Sequence, residues 1–160
     1  MIADAHLWLF RHGQAADKSP TNTFEEDYVR PLTRKGVKQS LRAGQLLNQL
    51  ADGKMDGVYC SPRIRTVQSA VLIASQLKGA PTAHRDKQLL EMTPRDAKGL
   101  IKDHGAVTIV GHGPEIDKAI EHFTGRQVHT YRGTLAGIHI VNGQGELTHL
   151  LSAKDIAGLA

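Results

Sequence analysis

The chain of 160 residues has one cysteine, Cys60, so no internal disulfide can form, which fits a reducing compartment. Aromatic residues are scarce. Three Phe, three Tyr and one Trp offer few platforms for stacking bases, and no nucleic-acid-binding motif occurs, so nucleic acid is not expected as a partner. No apolar run approaches the roughly eighteen residues that a membrane span requires, and no membrane association is expected. The opening Met1-Ile2-Ala3-Asp4-Ala5-His6 lacks a basic stretch leading into a long apolar one; neither a secretory signal nor a transit peptide is expected, and a cytoplasmic location follows. Lys and Arg outnumber Asp and Glu by 20 to 16, giving a formal charge of +4, yet no block of five or more like charges occurs. That excess suits an anionic partner without specifying one.

What is present is an ordinary globular composition, 40% hydrophobic and 22% charged, in a length that fits a single domain over residues 1–160. The apolar run His6 to Phe10 ends at a Gly and reads as a buried strand. Residues 14–31 are polar and interrupted by Pro20 and Pro31, which predicts an irregular crossing. Thr33 is a credible cap for a helix with Val37, Leu41, Gly44, Leu47 and Ala51 along one face, ending near Gly53. A short strand at Gly57 to Cys60 leads to Ser61-Pro62, expected to open a second helix with Ile64, Val67, Val71 and Ala74 inward and Gly79 as its end. A weak strand is expected at Thr82 to Arg85, a helix from Pro94 to about His104, a buried strand at Ala106 to Val110, and a helix reaching about Thr124. Thr134 to Val141 and Glu146 to Leu151 should pair as a hairpin. Alternation of strand and helix through most of this length implies an α/β fold with a mainly parallel sheet between helices.

Ligands of such sheets bind beyond the carboxyl ends of the strands. His12-Gly13 and His112-Gly113 both fall there, so two imidazoles converge if their strands are neighbours, and each glycine leaves room for close approach of a ligand. Independently, Arg63 and Arg65 stand in the opening turn of a helix, where the dipole disfavours cations. Departures from local rules concentrate at functional sites, and arginines beside free backbone donors suit an anion such as phosphate. Arg63 is expected to reach into solvent. Arg11 can share the site if the strand has ended before Gly13, and Arg30, held extended by Pro31, points either inward or to solvent.

In order and spacing, Arg11-His12-Gly13, Leu32-Thr33 followed by Gly36, Ser61-Pro62-Arg63-Ile64-Arg65-Thr66, Glu91 within Leu89-Leu90-Glu91-Met92-Thr93-Pro94, and Gly111-His112-Gly113 resemble the histidine phosphatase superfamily. The resemblance covers about residues 7 to 140. Val29-Arg30-Pro31-Leu32-Thr33, the Glu91 segment and the short chain look most like its SixA branch, whereas Gly111, Gly113 and the basic charge depart from that branch. It implies a three-layer, phosphoglycerate-mutase-like fold and a metal-free, cofactor-free two-step phosphoryl transfer. In that scheme His12 is the nucleophile, and its second ring nitrogen donates to a backbone carbonyl. Arg11, Arg65 and His112 surround the phosphoryl oxygens; Gly13, Arg30, Ser61 and Gly113 are the matching substrate-binding positions. Glu91 matches the acid that protonates a leaving oxygen, or is a solvated residue before a helix, and Thr134 falls where the family has a small or hydroxyl residue.

Only about forty residues separate the second helix's start from the strand at 106, too few for a lid domain, so an open pocket is expected. That favours phosphohistidine on a protein as substrate, with a small phosphorylated metabolite as the alternative and a non-catalytic phosphate-binding module as a third reading. A metal site at His12, His112 and Cys60 would lack the usual ligand spacing.

Overall fold

The central strand β1 (Asp4–Arg11) has four consecutive buried residues, Leu7 to Phe10, because both of its faces are covered by helices. A computed structural model describes residues 4–102 and 105–159. After β1 come α1 (Phe24–Tyr28), α2 (Arg34–Leu50), β2 (Gly57–Cys60), α3 (Ile64–Gln76), β3 (Ala83–Arg85), a 3-10 turn (Lys87–Glu91), α4 (Pro94–Ile101), β4 (Ala106–Gly111), α5 (Gly113–Thr124), the hairpin β5 (Leu135–Val141) and β6 (Gln144–Leu151), and α6 (Ala153–Leu159). The six strands form one sheet in the order β3-β2-β4-β1-β5-β6. β1 runs parallel to β4, and β2 is parallel to both β3 and β4, while β5 runs antiparallel to its neighbours β1 and β6.

Two apolar clusters sandwich the sheet. Leu7, Leu9, Val107 and Ile109 pack on α4 and α5, through residues such as Ala97, Ile116 and Ile120. On the other face Trp8, Phe10, Val58 and Val110 pack on α2, α3 and α6, through Leu47, Ile73 and Ile156. The three-layer architecture is thus the expected one, and no described segment forms a separate lid. Parallel register aligns Arg11 of β1 with Gly111 of β4, so the residues following both strands emerge side by side.

Several elements differ from the sequence reading. The polar crossing is not wholly irregular: Thr23 and Glu26 form a capping box that starts the short helix α1, a local hydrogen-bond pattern masked by the flanking prolines. Thr33 does cap α2, accepting from the Gly36 amide at 3.1 Å. The inward face of α2 is Gly36, Ser40, Ala43, Gly44 and Leu47, turned slightly from the expected stripe. Close packing sets that rotation, since a Cβ on Gly44 would meet the Ile73 backbone of α3 at 2.9 Å. α3 begins at Ile64, with Arg63 rather than Ser61 at the cap; its buried face is Arg65, Thr66, Ser69, Ala70, Ile73 and Ala74, leaving Val71 exposed. The helix ends at Gln76, and Gly79 serves the following turn with a φ of +79°. β6 starts at Gln144 because Asn142 and Gly143, both at positive φ, make a two-residue hairpin turn. α6 was not anticipated; Ser152 and Asp155 cap its start reciprocally. The expected end of the fourth helix near His104 lies outside the described residues.

Candidate active site

His12 follows β1 directly and is held by backbone bonds on both sides: its amide donates to the Gly111 carbonyl at 3.1 Å, and its carbonyl accepts from Gly133 at 3.0 Å. The ring is nearly buried. Its Nδ1 lies 2.7 Å from the Gly13 carbonyl, which can only accept, so Nδ1 carries the proton and Nε2 keeps its lone pair. Burial, then the cations Arg65, Arg11 and Arg132, push its pKa down to about 3, outweighing the Gly13 bond. His12 is therefore a neutral nitrogen base at physiological pH.

His112 follows β4 and meets His12 edge to face, with ring centroids 5.6 Å apart. It too is held near pKa 3, by burial, His12 and the arginines Arg65 and Arg63. Ser61 stands behind this ring rather than at the pocket lining: its hydroxyl lies 2.8 Å from His112 Nε2 and 2.8 Å from the Thr66 hydroxyl. Ser61 is fully buried, which suits orientation of His112 and not contact with a ligand.

Three arginines line the pocket together with the two rings. Arg65, 6% exposed, donates from Nε to His12 Nε2 at 3.3 Å and from Nη1 to the Asp27 carbonyl at 2.8 Å. Arg11 lies across the start of α5 and donates to the Thr130 carbonyl, while its buried Nε has no protein partner. Gly113 makes that position possible, because a Cβ there would sit 2.7 Å from the Arg11 guanidinium carbon. Arg30 points inward, donating to the Ala16 carbonyl at 2.7 Å and to Asp27 at 3.0 Å.

Asp27, at the end of α1, resolves the placement of cations at a helix N-terminus. Its carboxylate pairs with Arg30, Arg63 and Arg65 at once, and the arginines hold its pKa below the usual range although burial opposes them. Arg63 consequently does not extend into solvent but pairs with Asp27 and lies over the Phe24 ring, 5.3 Å from its centroid. Sequence reading missed Asp27. Its signal was the spacing of three to Arg30 combined with the Thr23–Glu26 capping box that builds α1. Lys18, Asn22, Pro114 and Arg132 also line the pocket and were not singled out.

Other expected positions fall elsewhere. Gly13 packs against α2, where a Cβ would meet the Gly36 carbonyl oxygen at 2.6 Å, and its amide donates to Ser69 at 3.1 Å. Glu91 is exposed at the end of the 3-10 turn and does not line the pocket. Thr134 is buried and accepts from the Tyr131 amide. Cys60 packs in the apolar layer beneath α2 and α3, and burial raises its thiol pKa to about 11, leaving it unreactive.

The pocket is an open cleft of about 520 Å3 at the carboxyl edge of the parallel strands, lined by five cations, two neutral imidazoles and one carboxylate. Such an arrangement is suited to an oxyanion placed beside a neutral imidazole nitrogen.

The family model that matches is that of the histidine phosphatase superfamily (branch 1), over residues 7–104. An uncharacterised protein of Picosynechococcus is 30% identical over 125 residues, covering 72% of this chain and 70% of that protein. Among solved structures, the protein histidine phosphatase SixA complexed with tungstate superposes with a TM-score of 0.76 at 21% identity, over 97% of this chain and 99% of SixA. A phosphoserine phosphatase from Entamoeba histolytica, in complex with 3-phosphoglyceric acid, gives a TM-score of 0.68 at 17% identity, over 95% and 99%. The fold is the phosphoglycerate-mutase-like one implied by the sequence motifs.

Proposed function

Because this chain belongs to the histidine phosphatase superfamily, we propose that it hydrolyses phosphohistidine carried on a protein, through a covalent intermediate on His12. His12 Nε2 attacks phosphorus, the P–N bond to the substrate imidazole breaks, and that imidazole takes a proton from solvent. Water then attacks the phosphorylated His12, releasing inorganic phosphate and restoring the neutral ring. Arg11, Arg65 and His112 hold the phosphoryl oxygens, where charge spreads in the transition state. Arg11 lines the pocket beside both rings, where its guanidinium can serve that contact. Arg65 must move its Nε bond from His12 Nε2 to the incoming anion, which frees the lone pair only when a phosphoryl group is present. Arg30 supports the anion from the pocket wall, and Ser61 orients His112 from behind. No metal is required of this scheme, since the cations of the chain carry the charge.

One observation supports phosphohistidine over a phosphate ester. The acid lining the pocket is Asp27, already committed to three arginines, and Glu91 lies outside. An alkoxide leaves poorly without a proton donor, whereas an imidazole leaves as a weak base that solvent protonates. The solved SixA structure of like fold is named a protein histidine phosphatase, and the open cleft suits a side chain presented by another protein.

The test is acid-quenched trapping of labelled phosphate from a phosphohistidine protein, on the wild type and on His12→Ala, alongside a panel of sugar phosphates and nucleotides. A phosphoenzyme formed from the protein substrate and absent in His12→Ala is expected. Turnover confined to the small-molecule panel would assign the metabolite reading instead, and labelling of His12→Ala at the wild-type level would overturn the nucleophile.

A further inference from the structure

At the opposite end of β1 from the pocket lies a second group of histidines that the phosphate chemistry does not use. His6 on β1 is paired across the strands with His139 on β5, and their rings stack 4.4 Å apart within 2° of parallel. Asp4, two residues before His6 and so on the same face of the strand, places Oδ1 2.6 Å from His139 Nε2. We propose that Asp4, His6 and His139 form a site for a divalent transition cation of the zinc class, remote from the phosphate pocket.

The donor set is two imidazoles and a carboxylate, which suits zinc and its neighbours over magnesium or calcium. The ligand atoms all lie within 4.8 Å of one another. A tetrahedral zinc ion with bonds of about 2.1 Å holds its donors about 3.4 Å apart, so Asp4 Oδ1 and His139 Nε2 would separate from their 2.6 Å hydrogen bond, and a tilt of each ring about its soft terminal torsion would turn the two nitrogens toward a common point. Room for that tilt exists, since Asp4 and His6 are exposed and the His139 side chain is one-third exposed. β6 sets Glu146 directly opposite His139, on the same sheet face, although its carboxylate is not part of the cluster. The six residues from His6 to His12 span about 20 Å of strand, so the ion would not touch the phosphoryl chemistry. Its effect would be to clamp β1 to β5, stabilising the folded chain by mass action.

Zinc chloride titrated calorimetrically into the whole chain at neutral pH, in a non-chelating buffer, tests the assignment. One equivalent bound at micromolar free zinc is expected to be lost in the His6→Ala/His139→Ala double variant and weakened at least about tenfold in either single variant. His84→Ala should bind as the wild type does. Cobalt added to the wild type should broaden the ring resonances of His6 and His139, a readout independent of any variant's folding. Zinc should raise the melting temperature of the wild type and not that of the double variant. Full retention of zinc by the double variant, or no binding by the wild type below about 0.1 mM zinc, would overturn it.

Discussion

At the scale of single residues, burial decides the chemistry of His12 and His112. Their folded pKa values are both about 3, against 6.5 for an exposed imidazole. Between those values the unfolded chain binds more protons than the folded one, so stability rises with pH from roughly 3 to 6.5 and levels off above. Urea melts across that range should show the slope. In His12→Asn it should be shallower by about 1.4 kcal/mol per pH unit, the value of one proton; an unchanged slope would mean that His12 titrates normally. In the proposed mechanism Arg65 contributes differently, as a donor aimed at developing charge. Arg65→Ala should lower kcat about 100-fold or more while a folded, monodisperse protein remains, read by phosphate release and by thermal melting. Gly113 offers the cleanest separation of site from scaffold. An alanine there improves helix propensity by up to about 1 kcal/mol, yet its Cβ displaces the Arg11 guanidinium. Gly113→Ala should keep or raise the melting temperature and lose more than tenfold in kcat/KM.

At the scale of elements, the site depends on a helix too short to stand alone. α1 has five residues, far fewer than an isolated helix needs, and none of them is buried. Its start is secured by the capping box and by Ser19 and Thr21, whose hydroxyls bond the Glu26 carboxylate. Its end is secured by Asp27 gripping Arg30, Arg63 and Arg65. Loss of that carboxylate releases three arginines from their aim, so Asp27→Asn should cost kcat at least tenfold while stability falls by only about 1–2 kcal/mol, given its partial exposure. Single-turnover kinetics with parallel denaturant melts would separate the two effects. The sequence indicated β1, α2, β2, β4, α5 and the hairpin, because their signals lie in residues a few positions apart. The rotation of α2 and α3 was not legible, since the contact of Gly44 with Ile73 joins residues far apart in the chain. Nor was α6, whose reciprocal cap at Ser152 and Asp155 precedes only one buried residue, Ile156.

At the scale of the whole molecule, the charge excess acquires a location. Lys18 and Arg132 are exposed at a pocket that already holds Arg11, Arg30 and Arg65, at the edge of the sheet where β1 and β4 end together. Exposed charges at such a pocket attract an anionic partner over about a Debye length, roughly 8 Å at physiological salt. Raising salt from about 0.05 to 0.5 M should therefore lower kcat/KM for a phosphoprotein severalfold and leave kcat unchanged; kcat falling in parallel would place the salt effect on the chemical step. Glu91 belongs to this scale as well. It is exposed at the end of its turn and does not line the pocket, so Glu91→Gln should alter kcat by less than about threefold, whereas a 100-fold loss would require that segment to close over the substrate.

By itself the sequence determined the alternation of strands and helices and the two strand ends that carry His12 and His112. It also marked the cation pair of Arg63 and Arg65 as out of place on a helix start. Those are local facts, written in neighbouring residues. The tertiary structure alone decided that β1 and β4 are adjacent and in a register that brings the two imidazoles to 5.6 Å. It decided that Asp27 collects the arginines, that Ser61 faces His112 and not the pocket, and that Glu91 stays outside. Register, rotation and burial arise from packing between distant segments, so the electrostatic balance of the site existed only once the sheet had formed.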